Sequence, residues 1–527
     1  MNSTSSPLSA RRLAALLATL ATTLLALGAA ACGGAGGGNE DADPADIAPK
    51  GTLIYLSAFA RPEGDQKEAV DTIAKKVFRV SDPGQRIQGL IDKEIKEDDP
   101  DMSFKEDIEP WLGKRIGMAV TRLGRSEDSN VAVIVASKDN DKAEDFIKNV
   151  KHKTKPIERS YKDVDYRFET DVQMASGLVD DYVVFGNETA FKAVVDASKD
   201  GDSLGDVQKF KSVADASEDK LGFGYVDVKA LAGSLSSTGA LPSGQAETLR
   251  SLVGTSNPEP VTMGLEAKSN QVTLDVTAPA RQGANATKQQ TDLVASLPGA
   301  AWVALGAPRI GQSLKQGIDQ FGGGGAGGGV VQTLKDQLRG QTGLDLDRDI
   351  LASLGDIAFF AQGTSILNVG VGAVVETPDP AAASRLVSKL GPLVRRFGGP
   401  QGVSVGSASV AGAKGLRVTA RGLPGGLNVV TKGDRLVIAY GDDATRQAFS
   451  PTQKLADTPE FKQAQQSIGG ALPSLYVLFG PLADLAASQS SADADKIRQY
   501  LGALSTLAAG SKVEGRRQVS RFVLNVK

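Results

Sequence analysis

The chain of 527 residues has one cysteine, one histidine, 5% aromatic residues and, beyond its opening segment, no long apolar run. A single cysteine excludes an internal disulfide and any multi-cysteine metal centre. The lone histidine, His152, sits in the basic run Lys151-His152-Lys153-Thr154-Lys155 without the partners that a catalytic triad or a zinc site requires. Several enzyme classes are weakened at once. No later stretch approaches the ~20 apolar residues that cross a bilayer, so everything after the opening segment should be soluble. Few aromatics beside 60 glycines indicate many turns and carry no functional message.

What is present begins at the N-terminus. Arg11-Arg12 precede the apolar run Leu13 to Leu27, and Ala29-Ala30-Ala31 lead into Cys32. A basic flank, a short apolar core and a small-residue cut describe a secretory signal over residues 1–31. The segment resembles a bacterial lipoprotein signal, in which the thiol of Cys32 is acylated and becomes residue one. Ala29 stands where such signals usually carry Leu, and Ala29-x-Ala31 also fits the ordinary secretory cut, which would release a secreted protein. An unpaired thiol in an oxidising compartment favours lipidation. Two acyl chains on Cys32 give stable attachment to the outer face of the cell membrane. Leu13-Ala14 after the arginine pair do not support twin-arginine export.

Residues 32–50 read as a tether, glycine-rich at Gly33 to Gly38 and acidic from Asn39 to Pro44. The length that remains predicts two or more domains. An ordered set of matches points to an internal duplication with a long period. Phe104 to Gly113 corresponds to Leu346 to Gly355, keeping Asp-Ile and Leu-Gly in step; Tyr182 to Asn187 corresponds to Val437 to Asp442. Thr52 to Leu56 matches Ala301 to Leu305, and Val272 to Val276 matches Arg521 to Val526. Polar and apolar residues alternate in Gln271 to Val276, which suits an antiparallel sheet with one wet face. The expected fold is α+β: two tandem duplicated domains, 51–280 and 281–527, each a largely antiparallel sheet with helices packed on one face.

Residues 281–527 hold 26 Lys+Arg against 18 Asp+Glu, a net of +8; with 59 and 62 in the whole chain, the rest carries 33 against 44, a net of −11. The two halves could attract one another, or the distal half could meet an anionic polymer or lipid headgroup; drift of solvated surfaces explains the asymmetry equally well. Nothing points to nucleic acid.

Candidate catalytic motifs fail. Gly322 to Gly329 lacks the Lys-Ser/Thr of a phosphate loop and reads as a flexible insertion. Asp345-Leu346-Asp347-Arg348-Asp349 opens like a calcium loop, but Ile350 stands where the turn needs Gly. Asp107 and Asp349 more simply form caps or turns before the Leu-Gly corner. Ser217 to Lys220 has Ser-x-x-Lys spacing but precedes a strand, where that nucleophile should open a helix. No cofactor, metal or catalytic residue is expected.

At the Pro110-Trp111-Leu112-Gly113 region, with Arg61-Pro62-Glu63-Gly64 after the first strand, the sequence resembles an uncharacterised actinobacterial family of exported proteins, the domain of unknown function numbered thirty-three fifty-two. The resemblance implies an envelope location and supplies no activity. Two function classes remain. One is a non-enzymatic surface lipoprotein that binds a lipid, an envelope polymer or a partner. The other is an envelope hydrolase working with unrecognised carboxylates, beside a purely structural role. A deep apolar cavity would favour the first, and two convergent buried carboxylates the second.

Overall fold

The computed structural model describes residues 37–527 except 80–87, 90, 94, 97–99, 125–128, 151–153, 216–218, 239–258, 281–290, 323–325, 366–367, 423–424 and 490–493. Cys32, His152 and Ser217 lie outside the described residues. The fold is α+β, and the chain divides into two compact units, Met1–Pro279 and Ala280–Lys527.

In the first unit the elements run β1 (Ile54–Phe59), α1 (Gly64–Phe78), β2 (Leu112–Arg122), β3 (Asn130–Ser137) and α2 (Asn140–Asn149). A meander follows, β4 (Ile157–Tyr161), β5 (Val164–Glu169), β6 (Met174–Val179) and β7 (Tyr182–Asn187). Then come α3 (Glu188–Asp200), α4 (Gln208–Ala214), β8 (Gly222–Val226), α5 (Val228–Ser237), β9 (Val261–Lys268) and β10 (Gln271–Pro279). The described strands form one antiparallel sheet in the order β4-β5-β6-β7-β3-β2-β1-β8-β9-β10.

Helices cover both faces of this sheet, not one as the alternating strand had suggested. Ile116, Val133, Val135, Val183 and Phe185 point to one face and pack with Phe146 and Ile147 of α2. Tyr55, Ala119, Ile134 and Val184 point to the other and pack with Phe191 of α3 and Phe210 of α4. The signal for this was in the unbroken apolar runs Val131 to Ala136 and Tyr182 to Phe185, which mark strands buried on both sides.

The tether is also shorter than its composition indicated. Ala42, Ala45, Ile47 and Ala48 are buried in the core of the first unit. Asp43 caps a short turn at Pro44–Asp46, and its backbone carbonyl accepts a hydrogen bond from the Tyr182 hydroxyl at 2.8 Å. The acids meet cations on β2: Lys114 reaches Asp41 at 2.9 Å and Glu40 at 3.5 Å, and Arg115 reaches Asp43 at 3.6 Å. A run of acids reads as solvated until the strand supplying its counter-charges is known; here that strand lies some 70 residues on.

The second unit contains α6 (Leu293–Ser296), β11 (Ala301–Ala307), α7 (Ile310–Gly322), α8 (Ala326–Thr342), β12 (Ile357–Gln362), β13 (Gly370–Glu376) and α9 (Pro380–Gly398). Its meander is β14 (Val403–Val410), β15 (Ala413–Ala420), β16 (Leu427–Lys432) and β17 (Arg435–Tyr440). There follow α10 (Asp442–Phe449), α11 (Pro459–Ser467), β18 (Pro473–Leu478), α12 (Phe479–Gln489), α13 (Ala494–Ala503), β19 (Leu504–Glu514) and β20 (Arg517–Val526). The antiparallel order is β14-β15-β16-β17-β13-β12-β11-β18-β19-β20. The described part of the glycine run is helical, Gly322 ending α7 and Gly327 to Gly329 opening α8, where the first amides of a helix have no partner within it. No helix among the described residues is long and apolar enough to cross a membrane.

Candidate functional site

Two places deserve a chemical reading, one in each unit. In the first, a single π-helical turn, Phe104–Ile108, leads into β2. The Ser103 hydroxyl accepts from the Glu106 amide at 3.1 Å, and the Asp107 carboxylate accepts from the Ser103 amide at 2.7 Å, a reciprocal cap. Gly113 follows because its backbone passes so close to β3 that a Cβ would stand 2.8 Å from the Ala136 carbonyl oxygen. A cleft of about 370 Å³ opens beside this corner, lined by Met102, Trp111 and Phe146 and rimmed by Glu106, Asp107 and Asp145. Glu106 and Asp145 are exposed and Asp107 is half-buried. These acids are therefore not the convergent buried pair that glycosidic hydrolysis uses.

The corresponding corner of the second unit is filled. Another π-helical turn, Leu346–Ile350, is capped by Asp345, and the Asp349 carboxylate accepts from the Asp345 amide at 2.9 Å. Asp349 is fully buried and takes the Lys389 ammonium of α9 at 2.7 Å. The Asp345 amide and the Lys389 ammonium hold its carboxyl well below the usual carboxylate range. The acids of the apparent calcium loop are thus engaged otherwise: Asp345 caps, Asp347 pairs with Lys335 at 2.8 Å and Asp349 is a buried ion-pair partner. No cluster of three metal-ligating side chains occurs among the described residues.

A wider groove of about 710 Å³ runs along β4 to β6 of the first unit. Its cations are paired, Arg159 with Glu188 at 2.8 Å, Arg167 with Glu158 at 3.4 Å, Lys148 with Glu144 at 2.8 Å and Lys199 with Asp180 at 3.2 Å, while Asp163 and Asp165 add acid to its lining. Burial opposes ionisation of Glu188, but the Tyr166 hydroxyl, Lys192 and Arg159 outweigh it and bring its pKa down to about 2. The cations of that surface are therefore already engaged by its own acids.

The second unit offers a different feature on its sheet. Antiparallel register places Phe522, Ala509, Leu475, Leu305, Phe359 and Ala373 in one continuous row across six strands. The next row on the same face is Leu524, Leu507, Val477, Val303, Ala361 and Val371. Farther along this face α9 covers the sheet, Val387 packing with Leu416, Val429 and Leu436. Between β20 and β13 the rows are partly open, with Leu305, Phe359, Val371 and Phe522 each 38–48% exposed. Among the described residues, every exposed large apolar side chain except Ile157 belongs to the second unit. Scattered exposed apolar residues mean little; here Leu305, Phe359 and Val371 lie on neighbouring strands of one sheet face.

The same face of the first unit is closed. There the row runs Gly224, Leu56, Met118 and Val133. Met118 packs into the core beside Trp111 and Phe146, and α1 seats Ala69 and Val70 on Leu221 and Ala267. In the second unit the helices after the first strand do not seat in this way. Leu314 of α7 and Val330 and Leu334 of α8 are exposed, and ion pairs at the base, Lys335 and Lys315 with Asp347 and Arg339 with Asp345, tie the hairpin down.

Sequence reading missed the trough. A faint signal existed in Ile357 to Ala361, which is apolar at every position and so has no wet side. Whether a helix covers such a strand is decided by packing far away in sequence.

A family profile described as a protein of unknown function, DUF3352, matches residues 83–471. No curated protein matches the chain. Among solved structures, crystal form I of TP0453 is 8% identical over 46% of this chain and 81% of that one, with a TM-score of 0.26. Crystal form IV gives 8% identity, 45% and 80% coverage, and 0.25. Likenesses at that level carry no argument.

Proposed function

This chain belongs to the DUF3352 family of proteins of unknown function, and we propose that it is a non-enzymatic binding protein of the cell envelope. A lipid on Cys32 holds it at the outer face of the membrane, and the open sheet face of its second unit takes an apolar ligand or partner, of lipid or envelope-polymer type. The single observation that carries the binding role is the trough of Leu305, Phe359, Val371 and Phe522, left open where the first unit is packed shut. Apolar surface kept in water forgoes roughly 25 cal/mol per Å², a cost that occupancy removes.

The two units are, on this reading, copies of one ancestral domain. Support comes from the identical order of ten described strands in each sheet and from the matching capped π turns that precede Gly113 and Gly355. A Cβ at Gly355 would stand 2.5 Å from the Glu376 carbonyl oxygen, the same close approach that fixes Gly113. One copy kept its helices seated and the other opened.

Because the Gly37 carbonyl already accepts from the Asn140 side chain at 3.2 Å, five chain steps separate Cys32 from the fold, at ~3.6 Å each at most about 18 Å. The first unit therefore rides close to the lipid surface. Cys32→Ser is expected to move the protein from the membrane fraction to the soluble one and to remove the acyl mass from its N-terminal peptide. An unmodified Cys32 in the natural protein would instead make it secreted.

Nile red, a neutral probe of apolar sites, tests the binding role. The full chain is expected to bind it, and Phe359→Asp to weaken that binding at least tenfold with an unchanged circular dichroism spectrum. Ile157→Asp, the exposed apolar position of the first unit, should leave it unaltered. Equal binding by all three proteins would sink the reading.

A further inference from the structure

We infer that the trough binds the acyl chain of an anionic lipid, with the α7–α8 hairpin as its cover; this rests on the binding role above. Three observations lead there. Shape is the first: six strands spaced about 4.8 Å apart make the apolar band about 24 Å wide, the length of an extended long acyl chain, with Ala509 and Ala373 buried within it and its open parts at Leu305, Phe359, Val371 and Phe522. The floor is continuous, since both rows across β20, β19, β18, β11, β12 and β13 are apolar at every position. Neither row offers a hydrogen-bonding side chain to a sugar or peptide, which excludes the polymer alternative from the floor itself.

The second observation is the hairpin. Leu314, Val330 and Leu334 are exposed on helices tied to the unit by the ion pairs at Asp345 and Asp347 and, at the start of α7, by the Ile310 and Gly311 amides on the Gly355 and Leu354 carbonyls. A pair of helices with an apolar stripe ordinarily buries it. Here the same unit carries an uncovered sheet face and uncovered helices, two surfaces that a chain lying between them would satisfy together. In the first unit, where no trough remains, α1 is seated directly on the sheet.

Charge is the third. The second unit carries a net of +8 while the remainder of the chain carries −11. Anionic headgroups would accordingly be drawn to the unit that holds the trough and repelled from the other. Arg385 and Lys389 of α9 stand at 42% and 32% side-chain exposure beside the base of the hairpin, where Lys389 also donates to the Gly343 carbonyl. They are the cations a headgroup at that end would meet.

The test uses the purified full chain, stripped of co-purifying lipid, with cis-parinaric acid, an anionic fatty acid that fluoresces in apolar surroundings. Saturable binding is expected, with at least tenfold loss in Leu305→Asp and Phe359→Asp and in the hairpin variant Leu334→Asp, and none in Ile157→Asp. Lysophosphatidylglycerol should displace the probe at least fivefold better than lysophosphatidylcholine of the same chain length. Nile red binding without parinaric acid binding would overturn the acyl assignment while leaving an apolar site; loss of both would overturn the site as well. Equal displacement by the two lysolipids would overturn the anionic preference, and intact affinity in Leu334→Asp would overturn the cover. A dimer that Phe359→Asp dissociates, with no probe bound, would assign the trough to a second copy of the chain instead.

Discussion

Trp111→Ala is expected to destabilise the first unit by about 3–5 kcal/mol. The indole is 1% exposed and stacks against Phe146 with ring centroids 5.0 Å apart. Its Nε1 donates to the Asp107 carbonyl at 2.8 Å, so truncation leaves a cavity and also an acceptor of the capped turn without its donor. For a unit of this size each kcal/mol lowers the midpoint by roughly 2–4 °C, so a shift on the order of 10 °C follows. The chain has two tryptophans, one in each unit, Trp111 and Trp302. In the variant, Trp302 fluorescence reports the second unit alone and its transition should stay in place while circular dichroism shows the first unit melting early. Trp111→Phe restores most of the packing but not the hydrogen bond, and should retain a deficit of about 1–2 kcal/mol. A shift below about 3 °C in Trp111→Ala would mean that the corner is not packed as described.

Much of this architecture was legible before any coordinates. Thr52 to Leu56 and Tyr182 to Asn187 located β1 and β7, their counterparts located β11 and β17, and the matched Leu-Gly corners stand at or just before the starts of β2 and β12. Local signals sufficed because each strand is a compact apolar run bounded by glycine or acid. The meander strands β4 to β6 and β14 to β16 were passed over; Ile157 to Tyr161 and Val403 to Val410 are short, polar-rich and stabilised by pairing that only register reveals. The covered second face is not legible in Gln271 to Val276, whose alternation belongs to a strand near the sheet edge and does not extend to the apolar central strands β3 and β7.

The candidate site was illegible for a deeper reason. Leu56 and Leu305 occupy the same place in their strands, as do Met118 and Phe359. Residue type does not distinguish them, since all four are apolar. What differs is a helix some ten residues later, α1 seated through Ala69 and Val70, and α7 held away with Leu314 in water. Openness here is a property of tertiary packing, and the first unit, with the same order of described strands and this face closed, makes it visible by comparison.

The buried acid at the filled corner yields the second large effect. Asp349→Ala is expected to cost the second unit about 3 kcal/mol, near the lower end for breaking a buried ion pair by removing one partner. The lower end applies because Lys389 and Arg385 are themselves about a third or more exposed, so water takes up part of their lost counter-charge. The Asp345 amide, by contrast, loses its acceptor outright. Asp349→Asn keeps an acceptor for that amide and should cost roughly half as much. The pH dependence follows from the direction of the shift. A carboxyl held low in the native state stabilises fully above the unfolded carboxyl pKa of about 3.9, and that contribution disappears as pH falls toward the native value. The difference between natural and Asp349→Asn proteins is therefore largest at neutral pH and narrows below about pH 4. Urea midpoints followed by Trp302 fluorescence at pH 7, 4 and 2.5 measure it directly. A gap constant across that range would show that the ionised form of Asp349 contributes nothing, and the corner would then be held by the capped turn alone. The half-buried Asp107 provides the control: having no ammonium against it among the described residues as Asp349 has Lys389, its replacement by alanine should cost only the cap, about 1 kcal/mol.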